Sequence, residues 1–346
     1  MLLAVTLAPE VFILPGTDEQ IQKLYYGLLH ALLLDLTENG VVLVDSNNVL
    51  TGLIGENLNK WPGKYRKPLK ELLSRLRVRS RFVKAEKAYL TSAMCVRAGC
   101  QHCNAIAEAY GFCTSIVCDD CLGCPGLAAG ANAVGITDYP CSGLAQYRRQ
   151  CKTIRLETAQ WSEQDFDDAV LKPLLSTAKH IKIIDRYIGR SLLRDDGQHT
   201  GLSPRYRNSL AYFFDAYVRY CSHRIGSTFE VYCGLEASNY APASVQAAKA
   251  GLKAWTDSVL AQFGTPVRVI LKHERLGQRM PHARFLVTNQ ASLLVETGFD
   301  IFLSEAEMKA AGYNPAIPPR RLRDMVLSLC DDSARIQQDV NRLAEA

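Results

Sequence analysis

The stretch Pro281-His282-Ala283-Arg284-Phe285-Leu286-Val287-Thr288-Asn289, followed by Glu296-Thr297-Gly298-Phe299-Asp300-Ile301-Phe302, decides how the second half of the chain is read. It predicts a strand carrying a histidine, a cation two residues later and an amide five residues beyond that. A second strand, Ala291 to Val295, then runs into a tight glycine corner. Side chains alternate along a strand, so His282 and Arg284 share one face. A histidine beside an arginine makes an anion site, and the guanidinium fork suits phosphate or carboxylate.

Outward from this stretch the pattern is an alternation of helices and strands, beginning after a join at Leu156 to Ser162. Ser162, with Asp165 three residues on, caps a helix to about Thr177, and His180 to Asp185 reads as a strand. Gly189 to Gly201 reads as a loop, and Ser203-Pro204 starts a helix carrying Leu210, Phe213, Phe214 and Tyr217 to about Cys221. Strands at Phe229–Cys233 and Val267–His273 flank a helix over Pro242–Phe263, and a last helix is expected from about Leu322. Asp185 has an ordinary role available as a turn cap. Lys272, His273, Arg275 and Arg279 form either a solvated loop or, the favoured reading, an enlargement of the positive field around His282.

This half resembles the phospholipase D-like superfamily. Ile183-Ile184-Asp185-Arg186-Tyr187-Ile188 looks like the first strand of such a unit, and Arg207-Asn208-Ser209-Leu210 with Phe213 like its following helix. His282-x-Arg284-x4-Asn289 lies in register with the family's H-x-K-x4-D motif. Gly298-Phe299-Asp300-Ile301-Phe302 is similar to the corner of the PLD-like domain at the C-terminus of MIT-domain proteins, which also carries Arg at the cation position. The resemblance covers about residues 160–305. It implies that His282 attacks phosphorus without a metal and that Arg284 clamps the phosphoryl oxygens. Only one such motif is present, so catalysis implies a homodimer or higher oligomer that brings two copies of His282 together. Asn289 is neutral where the family has a carboxylate, which leaves Asp300 as the residue expected to supply the charge. Relatives of the MIT-associated type use the fold for binding, including membrane binding, so activity does not follow from the fold.

The first half reads as a second α/β unit. A strand is expected over Leu2–Leu7, with Val11–Leu14 competing for the role. Thr17 and Asp18 open a helix with Leu24, Leu28, Ala31, Leu32 and Leu36 on its buried face, stopped by Asn39-Gly40. Val41 to Val44 is an all-apolar run of the kind buried on both faces of a parallel sheet, and it ends in Asp45. Residues 64–87 hold ten Lys or Arg against Glu71 and Glu86. After a helical start over Pro68–Leu73, Arg75, Arg77, Arg79 and Arg81 alternate with Leu76, Val78 and Phe82, as in a strand with four guanidiniums on one face. Such a face is a charge-protected edge or a track for a nucleic-acid backbone.

Cys95, Cys100, Cys103, Cys113, Cys118, Cys121 and Cys124 follow, with C-x4-C-x2-C occurring twice and Cys141 and Cys151 further on. Thiolates so closely spaced are ligands for zinc or an iron–sulfur cluster, the alternative being small buried hydrophobes. The same region weakly resembles PIN-type nucleases. In that family, strand-end aspartates gather Mg2+ or Mn2+; Asp45 with Asp119 or Asp120 would be the matching acids here, and Asn104 stands where the family usually has another acid.

The 346 residues predict two domains, placed at 1–155 (with a Cys-rich region at 95–124) and 160–346. With 48% hydrophobic and 22% charged residues the chain is of globular, not disordered, composition, and its net charge of +5 is mild. No secretory leader is expected. Leu28–Leu34 is far short of the ~20 apolar residues that span a bilayer, so an integral membrane protein is not expected. Twelve cysteines then predict a reducing, cytoplasmic setting. The expected function is phosphodiester cleavage of DNA or RNA by a two-domain α/β protein, in a prokaryotic defence or toxin-type effector and with other proteins as further partners. The alternatives are a non-catalytic phosphate-binding module for nucleic acid or lipid, a metal-dependent nuclease acting through the first domain, and a metal-cluster sensor.

Overall fold

The computed structural model describes residues 2–85, 98–111, 113–122, 132–150, 152–193, 201–221, 226–330 and 333–345. The chain is α/β and divides into two compact units, Met1–Lys152 and Thr153–Ala346.

In the first unit, β1 (Leu3–Leu7) is followed by α1 (Glu19–Asn39), β2 (Gly40–Val44), α2 (Val49–Asn59), α3 (Gly63–Val78), β3 (Phe82–Lys84), α4 (Ala98–Tyr110), β4 (Thr114–Val117), β5 (Ala133–Gly135) and α5 (Gly143–Gln150). The five strands pair in parallel in the order β3-β2-β1-β4-β5. Every residue of β2 is buried, as an apolar run between two parallel neighbours requires. Asp18 opens α1 by accepting from the amides of Gln20 and Ile21. The helix passes into β2 without a loop at Gly40, where a Cβ would lie 2.8 Å from the Leu36 Cα. The buried stripe of α1 differs from the expected one. It is Leu29, Leu32, Leu33 and Leu36, while Leu24 is exposed, because the packed face is rotated by one residue.

The alternating arginines do not form a strand. Tyr65, Leu69, Leu72 and Leu76 repeat at helical spacing and are buried, so α3 runs on through Val78, and a twelve-residue helical stripe overrides a four-residue alternation. The guanidiniums therefore separate. Arg75 is exposed and bonded to Glu71 at 2.6 Å, and Arg77 is exposed. Arg79 donates to Thr37 O at 2.7 Å, and Arg81 to Gly40 O and Glu38 O at 3.0 and 3.3 Å. These two cations sit on the carbonyls at the end of α1, where the helix dipole favours positive charge. The residues from Glu86 to Lys87 of the cationic block lie outside the described residues.

In the second unit the elements are β6 (Thr153–Leu156), α6 (Glu163–Phe166), a π turn over Asp167–Leu171, α7 (Lys172–Leu175), β7 (His180–Ile184), α8 (Arg186–Arg190), α9 (Pro204–Tyr220), β8 (Thr228–Leu235), α10 (Pro242–Phe263), β9 (Arg268–His273), β10 (Arg284–Thr288), β11 (Ser292–Val295), α11 (Glu305–Ala310), β12 (Met325–Cys330) and α12 (Ser333–Asn341). The strands make one mixed sheet, β6-β12-β11-β10-β7-β8-β9. β7, β8 and β9 are parallel, and β10 runs antiparallel to β7 with Phe285 opposite Ile184. The carboxyl ends of β7, β8 and β9 therefore share an edge with the start of β10. Ser162 and Asp165 form the expected reciprocal capping box, and Ser203 caps α9.

Two expectations are corrected here. The expected join begins inside a strand, because β6 belongs to this sheet through its pairing with β12. The expected C-terminal helix from Leu322 is instead β12 followed by α12; the apolar run Met325–Leu329 is held by β11 on one side and β6 on the other. Part of the expected loop, residues 194–200, lies outside the described residues. Phe213 and Phe299, both buried, meet edge to face at 5.3 Å and tie α9 to the glycine corner. Among the described residues no helix is long and apolar enough to cross a membrane.

Candidate functional site

His282 is exposed and lies in a bend just before β10, not within the strand. It and Arg284 still meet the same neighbour, Tyr187. The Tyr187 hydroxyl is 3.2 Å from His282 Nδ1, and the Arg284 guanidinium lies 4.6 Å from the Tyr187 ring centre. The other ring nitrogen, Nε2, is 3.0 Å from Arg186 Nη1. A guanidinium can only donate, so Nε2 is the acceptor in this contact.

Arg186 is itself immobilised. It is fully buried, and its Nη2 is 2.9 Å from Glu274, also fully buried, whose second oxygen accepts from the Met280 amide at 2.9 Å. Arg186 stands at the carboxyl end of β7 and Glu274 at that of β9, so the sheet order alone brings them together. Glu236, after β8, binds Arg279 at 2.8 Å and Arg190 at 3.3 Å. Four guanidiniums (Arg186, Arg190, Arg279, Arg284) thus stand with three carboxylates (Asp185, Glu236, Glu274) along this edge. Arg186 Nε and Arg284 Nε are buried without an acceptor among the described residues.

Asp185 is fully buried. It accepts from the amides of Tyr187 at 2.9 Å and Phe299 at 3.2 Å and lies 4.0 Å from Arg284 Nε. Burial raises its pKa, opposed by those two amides and by Arg284. The corner that supplies the Phe299 amide depends on Gly298, whose φ of +92° favours glycine. Ser209 of α9 accepts from the Ile301 amide at 3.2 Å, and burial raises the pKa of Tyr206, with Asp185 and Asp300 adding to the effect.

The structure does not gather every residue expected at this site. Asn289 lies at the far end of β10, where its side chain accepts from the amides of Lys179 and His180 at 2.8 and 3.3 Å, a cap for the start of β7. Asp300 pairs with Arg205 and Arg323, each at 3.5 Å, whereas the partners of His282 are Arg186 and Tyr187. Burial raises the pKa of Asp300 against those two arginines. Lys272 is buried, with its amine on Leu343 O at 3.1 Å and Glu345 at 3.8 Å. Arg275 is exposed at the turn before the motif. Arg186, Tyr187, Glu236 and Glu274 were not singled out as site residues. Their signal was a charged or polar residue just past the end of an apolar strand. A cavity of about 730 Å3 elsewhere in the unit is lined by Glu163, Asp167, Asp215, Arg219 and Arg320, whose charges are paired with one another.

In the first unit, Cys100, Cys118 and Cys121 lie close together and could hold a metal ion. The Cys121 sulfur is 2.8 Å from that of Cys100 and 3.0 Å from that of Cys118. Burial, with Cys121 alongside, raises the Cys100 pKa. Cys103 and Cys113 are buried apart from this group, and burial pushes both thiols up, the behaviour of small buried hydrophobes. Cys95 and Cys124 lie outside the described residues. Asp45 and Asp119 follow β2 and β4, the two strands that flank β1. Both oxygens of Asp45 cap the start of α2, accepting from Val49 and Leu50 at 2.8 Å each. Asp119 accepts from the Thr137 hydroxyl at 2.8 Å, and Asp120 is exposed.

No protein-family model, curated protein or solved structure matches this chain.

Proposed function

We propose that the second unit recognises a phosphate diester of nucleic acid at the His282–Arg284 corner, and that the site binds without cleaving. The observation that carries this reading is the donation from Arg186 Nη1 to His282 Nε2 at 3.0 Å. An imidazole nucleophile needs that lone pair, and a histidine that turns over phosphoryl groups is best served by a carboxylate on its other nitrogen. Here the other nitrogen faces the Tyr187 hydroxyl. The same arrangement suits anion binding, with the part-exposed Arg284 guanidinium and the exposed His282 facing a phosphate while buried Arg186 holds the imidazole in place.

The test is a fluorescence-anisotropy titration with short labelled single-stranded DNA and RNA over a salt series, run beside a cleavage assay in EDTA. Binding that weakens with salt and with Arg284→Ala or His282→Ala, without cleavage, is the expected result. Cleavage in EDTA that His282→Ala abolishes would replace it with phosphodiester hydrolysis by a dimer. Cleavage that needs Mg2+ or Mn2+ and is lost in Asp45→Ala would move the activity to the first unit. For the thiol group, the soft donors fit zinc or the iron of an iron–sulfur cluster.

A further inference from the structure

We infer that Glu10 joins Cys100, Cys118 and Cys121 as the fourth ligand of a single zinc ion. The four residues come from three segments that meet at one edge of the first sheet. Glu10 lies in the short turn Pro9–Phe12 after β1, Cys100 in the first turn of α4, and Cys118 and Cys121 directly after β4. The strand order reverses between β1 and β4, and the crevice outside the carboxyl ends of strands at such a reversal is where open α/β sheets hold ligands.

The Glu10 carboxylate faces Cys100 but lies outside the 4.8 Å group that the three sulfurs form, so it must close on the ion from the Cys100 side. One oxygen accepts from the Gly99 amide at 3.0 Å, and the other is 3.6 Å from the Cys100 sulfur. Bonds of about 2.1 Å to oxygen and 2.3 Å to sulfur at tetrahedral angles place two such ligands about 3.6 Å apart, so this pair stands at zinc-ligand spacing. Two thiolates on the same ion stand about 3.8 Å apart, so the sulfurs need only spread by less than about 1 Å to admit it. An iron–sulfur cluster carries at most two cysteine sulfurs on one iron, so a third stands much further off, whereas these three sulfurs all lie within 4.8 Å of one another. The amino end of α4, with the Gly99 amide on Glu10, favours the negative charge that three thiolates and a carboxylate leave around a divalent ion.

The experiment uses the full chain purified under reductant, with metal content by mass spectrometry and the visible spectrum after replacement by Co2+. About one zinc per chain and cobalt charge-transfer intensity of three thiolates are expected. In Glu10→Gln, whose amide oxygen can still accept from Gly99, zinc affinity should fall about 10- to 100-fold against a competing chelator. Cys118→Ser should lose the ion. Because that variant removes a buried thiol, far-UV circular dichroism accompanies it, and Glu10→Gln decides the question alone if it unfolds. A four-thiolate cobalt spectrum with unchanged affinity in Glu10→Gln, iron with acid-labile sulfide, or protein that binds no zinc under reductant would each overturn the proposal.

Discussion

Arg186 and Glu274 form a fully buried ion pair at 2.9 Å, and through the other nitrogen of the same guanidinium the pair holds His282. The imidazole is exposed, yet its orientation is set by two residues that solvent does not reach. Breaking one partner of a buried pair leaves the other charge without compensation. Glu274→Ala should therefore destabilise the second unit by about 3–5 kcal/mol, read as a lower midpoint in urea unfolding. An unchanged midpoint would mean that the pair is not buried in solution.

Gly298→Ala tests the corner. The residue sits at φ +92°, and a Cβ there would stand 3.2 Å from both Arg284 Nε and Asp185 Oδ2. A cost of about 1–3 kcal/mol is expected from the backbone alone. Because the displaced groups belong to the site, phosphate binding should weaken more than in an exposed Gly→Ala control such as Gly277→Ala, whose φ is also positive and whose Cβ meets nothing. Equal effects from the two substitutions would count against the corner's role.

The capping box of α11 gives a pH signature. The Ser304 hydroxyl and amide, then Arg323, hold the Glu307 pKa down to about 2 from its ordinary 4.5. A depressed acid contributes stability that is full above its unfolded pKa and is lost as pH falls through its folded pKa. The advantage in Tm of the wild type over Glu307→Gln should thus shrink as pH falls from 4.5 toward 2. An advantage that stays level through that window would show that the cap does not depend on charge.

The arginines of the basic block should separate by experiment. Arg81→Ala removes buried donors from Gly40 O and Glu38 O and should cost about 1–3 kcal/mol. Arg75→Ala and Arg77→Ala, at exposed sites, should change stability by less than about 0.5 kcal/mol. If α3 meets the nucleic-acid backbone, each should also lower the slope of binding against salt by about one. Salt slopes equal to wild type in both variants would remove α3 from the interface.

Local signals were enough for much of the architecture. The all-apolar Val41–Val44 run, the Ser162–Asp165 cap, the Ser203-Pro204 helix start and the full span of α10 can be read from neighbouring residues, because caps and short apolar runs act within a turn or a strand. Where two local patterns competed, packing chose between them. The helical stripe of α3 prevailed over the arginine alternation, and pairing on both sides made Met325–Cys330 a strand.

Residue types likewise pointed to His282, Arg284 and a group of thiols, since their chemistry is intrinsic. Their partners were not legible. Arg186 and His282 are 96 positions apart, Arg186 and Glu274 88, and Glu10 and Cys100 90. Alternation along a strand tells which face a side chain takes, but not which other strand ends on the same edge. That was settled by the order in which the strands pair. The order gathers the ends of β7, β8 and β9 beside the start of β10, and in the other unit sets the turn after β1 beside the one after β4.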